Sequence, residues 1–426
     1  MEKIKRINFR RVIKPALRLV VSLSVILIVW GCGVVPQLHE GSEANYIRLP
    51  FVRVLLTNDS PELTISSNGS FTIECLRGNE SSVYYSSQPV TILQEDGFLS
   101  VTMAGEKIDD RFEEIIVTPR SDKGFLSYRN QRYRGMFRII THGRNLSLIN
   151  IAHIDDYLKG VVPPEMGKVE EVDFEAIKAQ AVAARTYSLG HLSQYPDELY
   201  DMHADVTDQL YSGADVENPL VSDAIEQTRG YVIKFEDKLI NAYYHSTCGG
   251  STDDIEEIWD KPSAPYLRAT SDDGACSWSK YYRWREAYTA EQLKLRVEEY
   301  LSAERGREIR LDDLVDIEIT ARTAGERVAE LMVKTEGRSY TFGRDKIRWI
   351  FKRSSNPELI LQSAKFDVIT QHDQTGRLTR VEFEGGGYGH GIGMCQCGAI
   401  GMAKNGKKFD EILTHYYRNT RLVKLY

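Results

Sequence analysis

The sequence predicts an α+β protein, a β-rich mixed architecture around a central helical pair that carries a candidate active-site glutamate. Three observations lead there. Short apolar runs of strand length, punctuated by Asn-Gly, Asp-Gly and other glycine turns, recur before His153 and again after Leu314. Helical periodicity appears in separate stretches, two of them adjacent between His153 and Leu192. Between those two, Pro163-Pro164 gives Glu165 a stiff frame.

The first residues are not fold. Lys3, Lys5, Arg6, Arg10, Arg11, Lys14 and Arg18 precede an apolar run from Leu19 to Trp30, short for a membrane span and suited to a signal segment. Gly31-Cys32 fits a lipoprotein cleavage site, with Cys32 the lipidated first residue of the mature chain; an uncleaved anchor is the other reading. Either way the remainder is extracytoplasmic and tethered to the membrane. Residues 1–31 read as signal peptide, 32–45 as tether, 46–145 as a β-rich N-terminal region, and 146–426 as the part carrying chemistry. Removing residues 1–31 takes away seven positive charges and one negative, leaving 47 Lys+Arg against 60 Asp+Glu, a net −13. That balance argues against nucleic acid as a partner. The 426 residues allow two or three domains with ample core. The 23 tyrosines suit either a polysaccharide groove or a β-rich core.

In order, the run from Ile47 alternates weakly up to a turn at Asn58-Asp59-Ser60-Pro61. Strands follow over 63–65, 71–75, 90–93, 98–103 and 115–118, and two more flank Gly143. Asp155 to Val161 forms a short amphipathic helix that Gly160 and the prolines stop, since proline removes a donor and pushes its predecessor out of the helical region. A second helix starts near Asp173, a good N-cap, with Phe174, Ile177, Ala181, Ala184 and Ser188 as its buried stripe. A helix over 219–227 ends at Thr228-Arg229-Gly230, and YVIKF with LINAYYHSTCGGST reads as paired strands. The helix over 291–304 turns Leu293, Val297, Tyr300 and Leu301 inward. Strands over 314–320, 328–335, 339–342, 364–369 and 380–384 precede helices over 397–404 and 409–417 and a last strand over 422–426.

Glu165 has two readings. A helix-start carboxylate is stabilised by nearby N–H groups and the helix dipole. A general acid/base needs a fixed, partly desolvated position. In GGGYGHGIGM, residues 385–394, six glycines surround His390, in neither P-loop nor dinucleotide-binding order. His390 is then either a buried histidine bonded to backbone or a ligand-facing imidazole. His245 with Cys248, Cys276, Cys395 and Cys397 allows a tetrahedral zinc site, and a Cys248–Cys276 disulfide is its rival outside the cytoplasm. A cysteine nucleophile with His390 would need a depressed thiol pKa and a base in reach, neither visible in the residues.

YLKGVVPPEM (157–166), AIKAQAVAARTYSL (176–189), DVTDQLYSG (205–213), AYYHSTCGGST (242–252), GRDKIR (343–348), GYGHGIGMCQCGA (387–399) and HYYRNT (415–420) together resemble the SpoIID/LytB family, the stage II sporulation protein D and amidase-enhancer group. The resemblance covers roughly residues 46–426 and makes 146–426 the catalytic region. It implies a sporulation-type peptidoglycan lytic transglycosylase, a lyase that cleaves MurNAc–GlcNAc strands to 1,6-anhydroMurNAc ends. Glu165, in the motif matched by PPEM, is its single general acid/base; Gln180, Arg185, Tyr187, His390 and Gln396 are its substrate contacts. It also implies structural zinc on His245, Cys248 and Cys276, with no cofactor required for the chemistry. The implied partners are glycan strands, a cell-wall amidase and, through the N-terminal anchor, the membrane of the cell envelope. The alternative it carries is a non-catalytic wall-binding protein that recruits or stimulates an N-acetylmuramoyl-L-alanine amidase. Cys395 and Cys397 stand where the family often has serine and an aromatic residue, and the acidic helix over 291–304 has no clear family counterpart.

Overall fold

The computed structural model describes residues 50–426 apart from 109, 110, 193 and 196; the signal and tether segments and Cys32 lie outside the described residues. Among the described residues, no helix is long and apolar enough to cross a membrane. The chain forms two units. One takes residues 50–167, Ser188–Ser222 and Leu425–Tyr426; the other takes Lys168–Tyr187 and Asp223–Lys424.

The first unit is built from β1 (Phe51–Ser60), β2 (Glu62–Ser67), β3 (Phe71–Arg77), β4 (Glu80–Ser86), β5 (Val90–Glu95), β6 (Phe98–Met103), β7 (Glu106–Lys107), β8 (Glu114–Pro119), β9 (Leu126–Tyr128), β10 (Gln131–Tyr133), β11 (Met136–His142), β12 (Asn145–His153) and β13 (Met202–His203). They form two sheets, in the orders β13-β1-β12-β11-β8-β3-β4 and β10-β9-β2-β5-β6-β7. Alternation sets their inner faces: Phe71, Ile73 and Cys75 of β3 are buried while the residues between them are not. Strand β12 leads straight into α1 (Ile154–Met166), where the His153 imidazole accepts the Asp155 N–H at 3.3 Å.

Helix α1 does not stop at Gly160; it continues through Pro163 and Pro164 to Met166. Pro164 has no N–H for the Gly160 carbonyl four residues back. Ser212 supplies one instead, at 3.1 Å. Gly160 allows that approach, because a Cβ there would lie 2.6 Å from both the Gly213 carbonyl oxygen and the Tyr211 ring.

A 3₁₀ turn, Glu171–Asp173, leads into α2 (Phe174–Gly190); the N-cap is Glu170, not Asp173, whose carboxylate reaches back to accept the Glu170 N–H at 2.9 Å as the third residue of a capping box. The expected stripe understates this helix. Every residue from Ala179 to Tyr187 is buried, so α2 is enclosed on all sides, while Phe174 is only half-buried. There follow α3 (Pro219–Gln227), β14 (Tyr231–Phe235), β15 (Lys238–Leu239), β16 (Tyr244–His245), α4 (Ile255–Ile258), β17 (Trp284–Thr289), α5 (Ala290–Arg305), β18 (Leu314–Arg322), β19 (Val328–Thr335), β20 (Ser339–Gly343), α6 (Lys346–Ile350), β21 (Phe366–His372), β22 (Leu378–Gly385), β23 (Met394–Cys395), α7 (Gln396–Lys404), α8 (Phe409–Tyr416) and β24 (Arg421–Lys424).

Small sheets β15-β14-β24, β16-β23, β17-β22-β21 and β18-β19-β20 organise them. Leu293, Val297 and Leu301 of α5 share one core with Leu331, Phe351 and Phe383, and Tyr300 packs against it only partly buried. The run after β14 does not simply fold back on it. Only Lys238–Leu239 pairs with β14; Tyr244 and His245 pair in parallel with Met394 and Cys395. The glycines near residue 390 permit this, since a Cβ on Gly389 would lie 2.8 Å from that of His245.

Candidate functional site

Glu165 lies in the last turn of α1, not at a helix start, so the dipole opposes its negative charge. What holds it is a main-chain donor: the Leu210 N–H reaches Glu165 Oε1 at 3.0 Å. The loop carrying Leu210 is itself tied down. Gln209 Oε1 accepts from the Tyr157 hydroxyl at 3.1 Å and from the Ser188 hydroxyl at 2.7 Å. Tyr211 donates to Asn150 Oδ1 at 2.7 Å, and Ser212 takes the Gly160 carbonyl. The Asp208 carboxylate accepts the His203 N–H at 2.9 Å, within a cluster where the rings of Tyr195, Tyr200 and His203 lie 5.1–5.4 Å apart. Glu165 is half-buried, and Leu210 and Val206 stand exposed on this loop. The DVTDQLYSG segment, noted in the sequence only as family resemblance, is therefore the frame of Glu165.

The other candidates belong to the second unit. Gln180 and Gln396 are buried and meet, Gln396 Nε2 standing 3.5 Å from Gln180 Oε1. Arg185 has no exposed surface; its guanidinium donates to the carbonyls of Thr228 at 2.9 Å, Ile225 at 3.2 Å and Tyr231 at 3.2 Å, which ends α3. Its position is that of a helix cap. The half-buried His390 bonds to backbone on both sides, Nε2–H donating to the Tyr244 carbonyl at 3.0 Å and Nδ1 accepting the Ile392 N–H at 3.0 Å. Burial pushes its pKa down to about 4. Tyr187 and His390 sit on one row of rings with Tyr243 and Trp259: Tyr187–Tyr243 at 5.9 Å, Tyr243–Trp259 at 4.9 Å and Trp259–His390 at 4.7 Å. Tyr243 and Trp259, half-buried, were not singled out in the sequence, since a lone ring carries no spacing signal.

Cys248, Asp272, Cys276 and Cys395 converge, their candidate ligand atoms all within 4.8 Å of one another and all four residues buried. His245 is not among them. Its Nδ1 donates to the Ile392 carbonyl at 3.2 Å and its ring lies 5.4 Å from that of His390. All described cysteines are free thiols. Two backbone N–H groups point at Cys395 Sγ, from Cys248 at 3.1 Å and Gly398 at 3.2 Å, and Gly250 N–H points at Cys248 Sγ at 3.4 Å. Donors aimed at sulfur suit thiolates. In the bare cluster the negative charge collects on one sulfur: hydrogen bonds from Cys248 and Cys395 hold the Cys276 thiol well below its usual range, and further charge is opposed, since Cys276 and burial push Cys248 up, burial and Cys248 push Cys395 up, and burial raises Asp272. Three sulfurs and a carboxylate oxygen are a four-ligand zinc donor set, and a divalent cation would relieve the repulsion. Asp272 was missed because a lone aspartate between cysteines has no distinctive spacing.

A β-rich α+β chain with a main-chain-held glutamate and a buried thiol cluster defines the class, and comparison with known proteins narrows it. Residues 142–235 match the family described as SpoIID, stage II sporulation protein, and residues 273–393 match a domain of unknown function (DUF8618). An uncharacterized protein of Brachyspira hyodysenteriae is 29% identical over 376 residues, covering 87% of this chain and 92% of that protein. The amidase enhancer of Bacillus subtilis is 31% identical over 296 residues, 62% of this chain and 40% of its own length. The stage II sporulation protein D of Bacillus amyloliquefaciens is 30% identical over 292 residues, 64% of this chain and 75% of its own. The chain belongs to the SpoIID/LytB family, whose function is tied to the cell wall.

Proposed function

We propose that the chain is an exported peptidoglycan lytic transglycosylase in which Glu165 is the acid and then the base. The observation that carries this is the Leu210 N–H on Glu165 Oε1 at 3.0 Å, on a half-buried carboxyl at the end of a proline-framed helix. The main-chain donor fixes the carboxyl group in place. Glu165 protonates the glycosidic oxygen between MurNAc and GlcNAc, and the bond to the MurNAc anomeric carbon breaks. The C6 hydroxyl of the same MurNAc then bonds to that carbon and returns its proton to Glu165. No water is activated, so a second carboxylate is not needed, unlike in paired-carboxylate hydrolases.

Cys248, Asp272, Cys276 and Cys395 would hold a structural zinc, whose part is to cross-link three distant segments. The membrane anchor is a lipidated Cys32. The test of function is digestion of purified glycan strands with mass analysis of the ends: 1,6-anhydroMurNAc ends from the wild type and none from Glu165→Gln. A second reading, stimulation of a cell-wall amidase without cleavage, is favoured by the likeness to the amidase enhancer, of which this chain covers 40%. It forecasts faster amide hydrolysis by an added amidase and no anhydro ends.

A further inference from the structure

A cleft of about 790 Å³ opens in the second unit, lined among others by Arg283, Trp284, Lys365, Phe366, Gly385 and Gly386. All six lie in the region that matches the domain of unknown function. The volume is that of a site for a small ligand or short peptide. Two of its cations are neutralised: Arg285 pairs with Glu382 at 2.6 Å and with Glu384, and Arg322 pairs with Asp367 at 2.5 Å.

Arg283 and Lys365 are not. Arg283 donates to the carbonyls of Gly249 at 3.2 Å and Tyr282 at 2.7 Å, its guanidinium 4.0 Å from the Tyr282 ring centroid. Lys365 Nζ donates to Ser251 Oγ at 2.8 Å and the Gly325 carbonyl at 3.0 Å. Among the described residues, neither has a carboxylate within ion-pair distance. The buried Arg327 nearby leaves them no anion, because Asp253 is already bound to it at 2.6 Å. Burial, with Arg327 and Arg283, lowers the Lys365 pKa, which marks an ammonium short of negative charge. Beside them the Trp284 ring is fixed by its Nε1–H on the Gly387 carbonyl at 3.0 Å. An exposed carboxylate, Glu326, also lines the cleft.

We propose that this cleft binds the stem peptide of peptidoglycan, a carboxylate of the peptide lying between Arg283 and Lys365 and its free amine facing Glu326. A half-buried ammonium and an exposed guanidinium, neither paired with an anion, favour a carboxylate between them, and Arg283 offers it a planar donor edge. Glu326 favours a ligand that also carries positive charge, which a peptide with a diamino acid does and a phosphodiester polymer does not. The assignment rests on the cell-wall reading above, but it is decided by binding, with cleavage only as a control.

Isothermal titration of the full-length protein with soluble L-Ala-γ-D-Glu-diamino acid-D-Ala tetrapeptide should show saturable binding. Arg283→Gln and Lys365→Gln should each weaken it at least tenfold, and Lys365→Arg should restore most of it at an unchanged melting temperature. Peptide-free glycan strands should be cut equally by all of these proteins. Absence of saturable binding, equal binding by the Gln variants, or tighter binding of glycerol phosphate than of the peptide would each overturn the assignment. A protein that binds the tetrapeptide but never cuts glycan overturns the transglycosylase reading and leaves this one standing; the converse overturns only this one.

Discussion

The Leu210 N–H and the Glu165 carboxylate meet at 3.0 Å across 45 residues of chain. The bond fixes a side chain that the helix dipole would otherwise disfavour as an anion. Glu165→Gln keeps an oxygen to accept that N–H but has no proton to give a leaving group. We expect at least a 10²- to 10⁴-fold loss of anhydro-end formation, with stability changed by about 1 kcal/mol or less. Unchanged cleavage by the folded variant would remove Glu165 from the mechanism.

Gly160 offers a test that leaves the carboxyl alone. A Cβ there meets the Gly213 carbonyl oxygen and the Tyr211 ring at 2.6 Å, so Gly160→Ala must push the loop off α1. Overpacking of this kind costs about 1–3 kcal/mol. Because the same loop carries Leu210, cleavage should fall by more than the loss of folded protein explains. Thermal melting and glycan digestion on one preparation check both.

For the thiol cluster we expect about one zinc per chain in protein purified under reducing conditions, as four-ligand structural sites bind. Cys395→Ser should lose the metal and melt lower, while His245→Gln should keep it. Each kcal/mol lost lowers the melting temperature of a unit this size by about 2–4 °C. Elemental analysis of the two variants decides; retention by Cys395→Ser would sink the ligand set.

His390 sets a pH dependence. Burial holds its pKa at about 4, below the unfolded histidine value of about 6.5. Between those values the unfolded state binds more protons, so stability rises with pH. The contribution is fully present above about pH 6.5 and lost as pH falls through about 4, about 3 kcal/mol at most, and less for a half-buried ring. Urea melts of wild type and His390→Gln from pH 4 to 7 should converge toward the acid end. Parallel curves would show that His390 does not titrate in this window.

Local chemistry made much of the fold legible. The end of α3 at Gln227 and the limits of β19 follow from a Thr-Arg-Gly stop and alternation over Val328–Thr335. What escaped was supplied from far away in the chain. The passage of α1 through two prolines depends on Ser212, and the enclosure of α2 depends on neighbours that its own alanine-rich pattern does not name. The rigid placement of Glu165 could be read from its proline frame, whereas Leu210 acts through a backbone N–H that every residue but proline has. Asp272 and the ring row of Tyr243 and Trp259 exist only once the chain has folded.

The convergence of Cys248 and Cys395, 147 residues apart, has a consequence for biogenesis. Ligands from residues 248, 272, 276 and 395 cannot meet until everything between them has been made and the strand pair His245–Cys395 has closed. Closing so long a loop adds little entropy cost beyond a shorter one, but it makes this contact a late event in assembly. Occupancy of the cluster would thus act as a completion mark: chains clipped before residue 395 would lack one ligand and remain empty of metal, and finished chains would not.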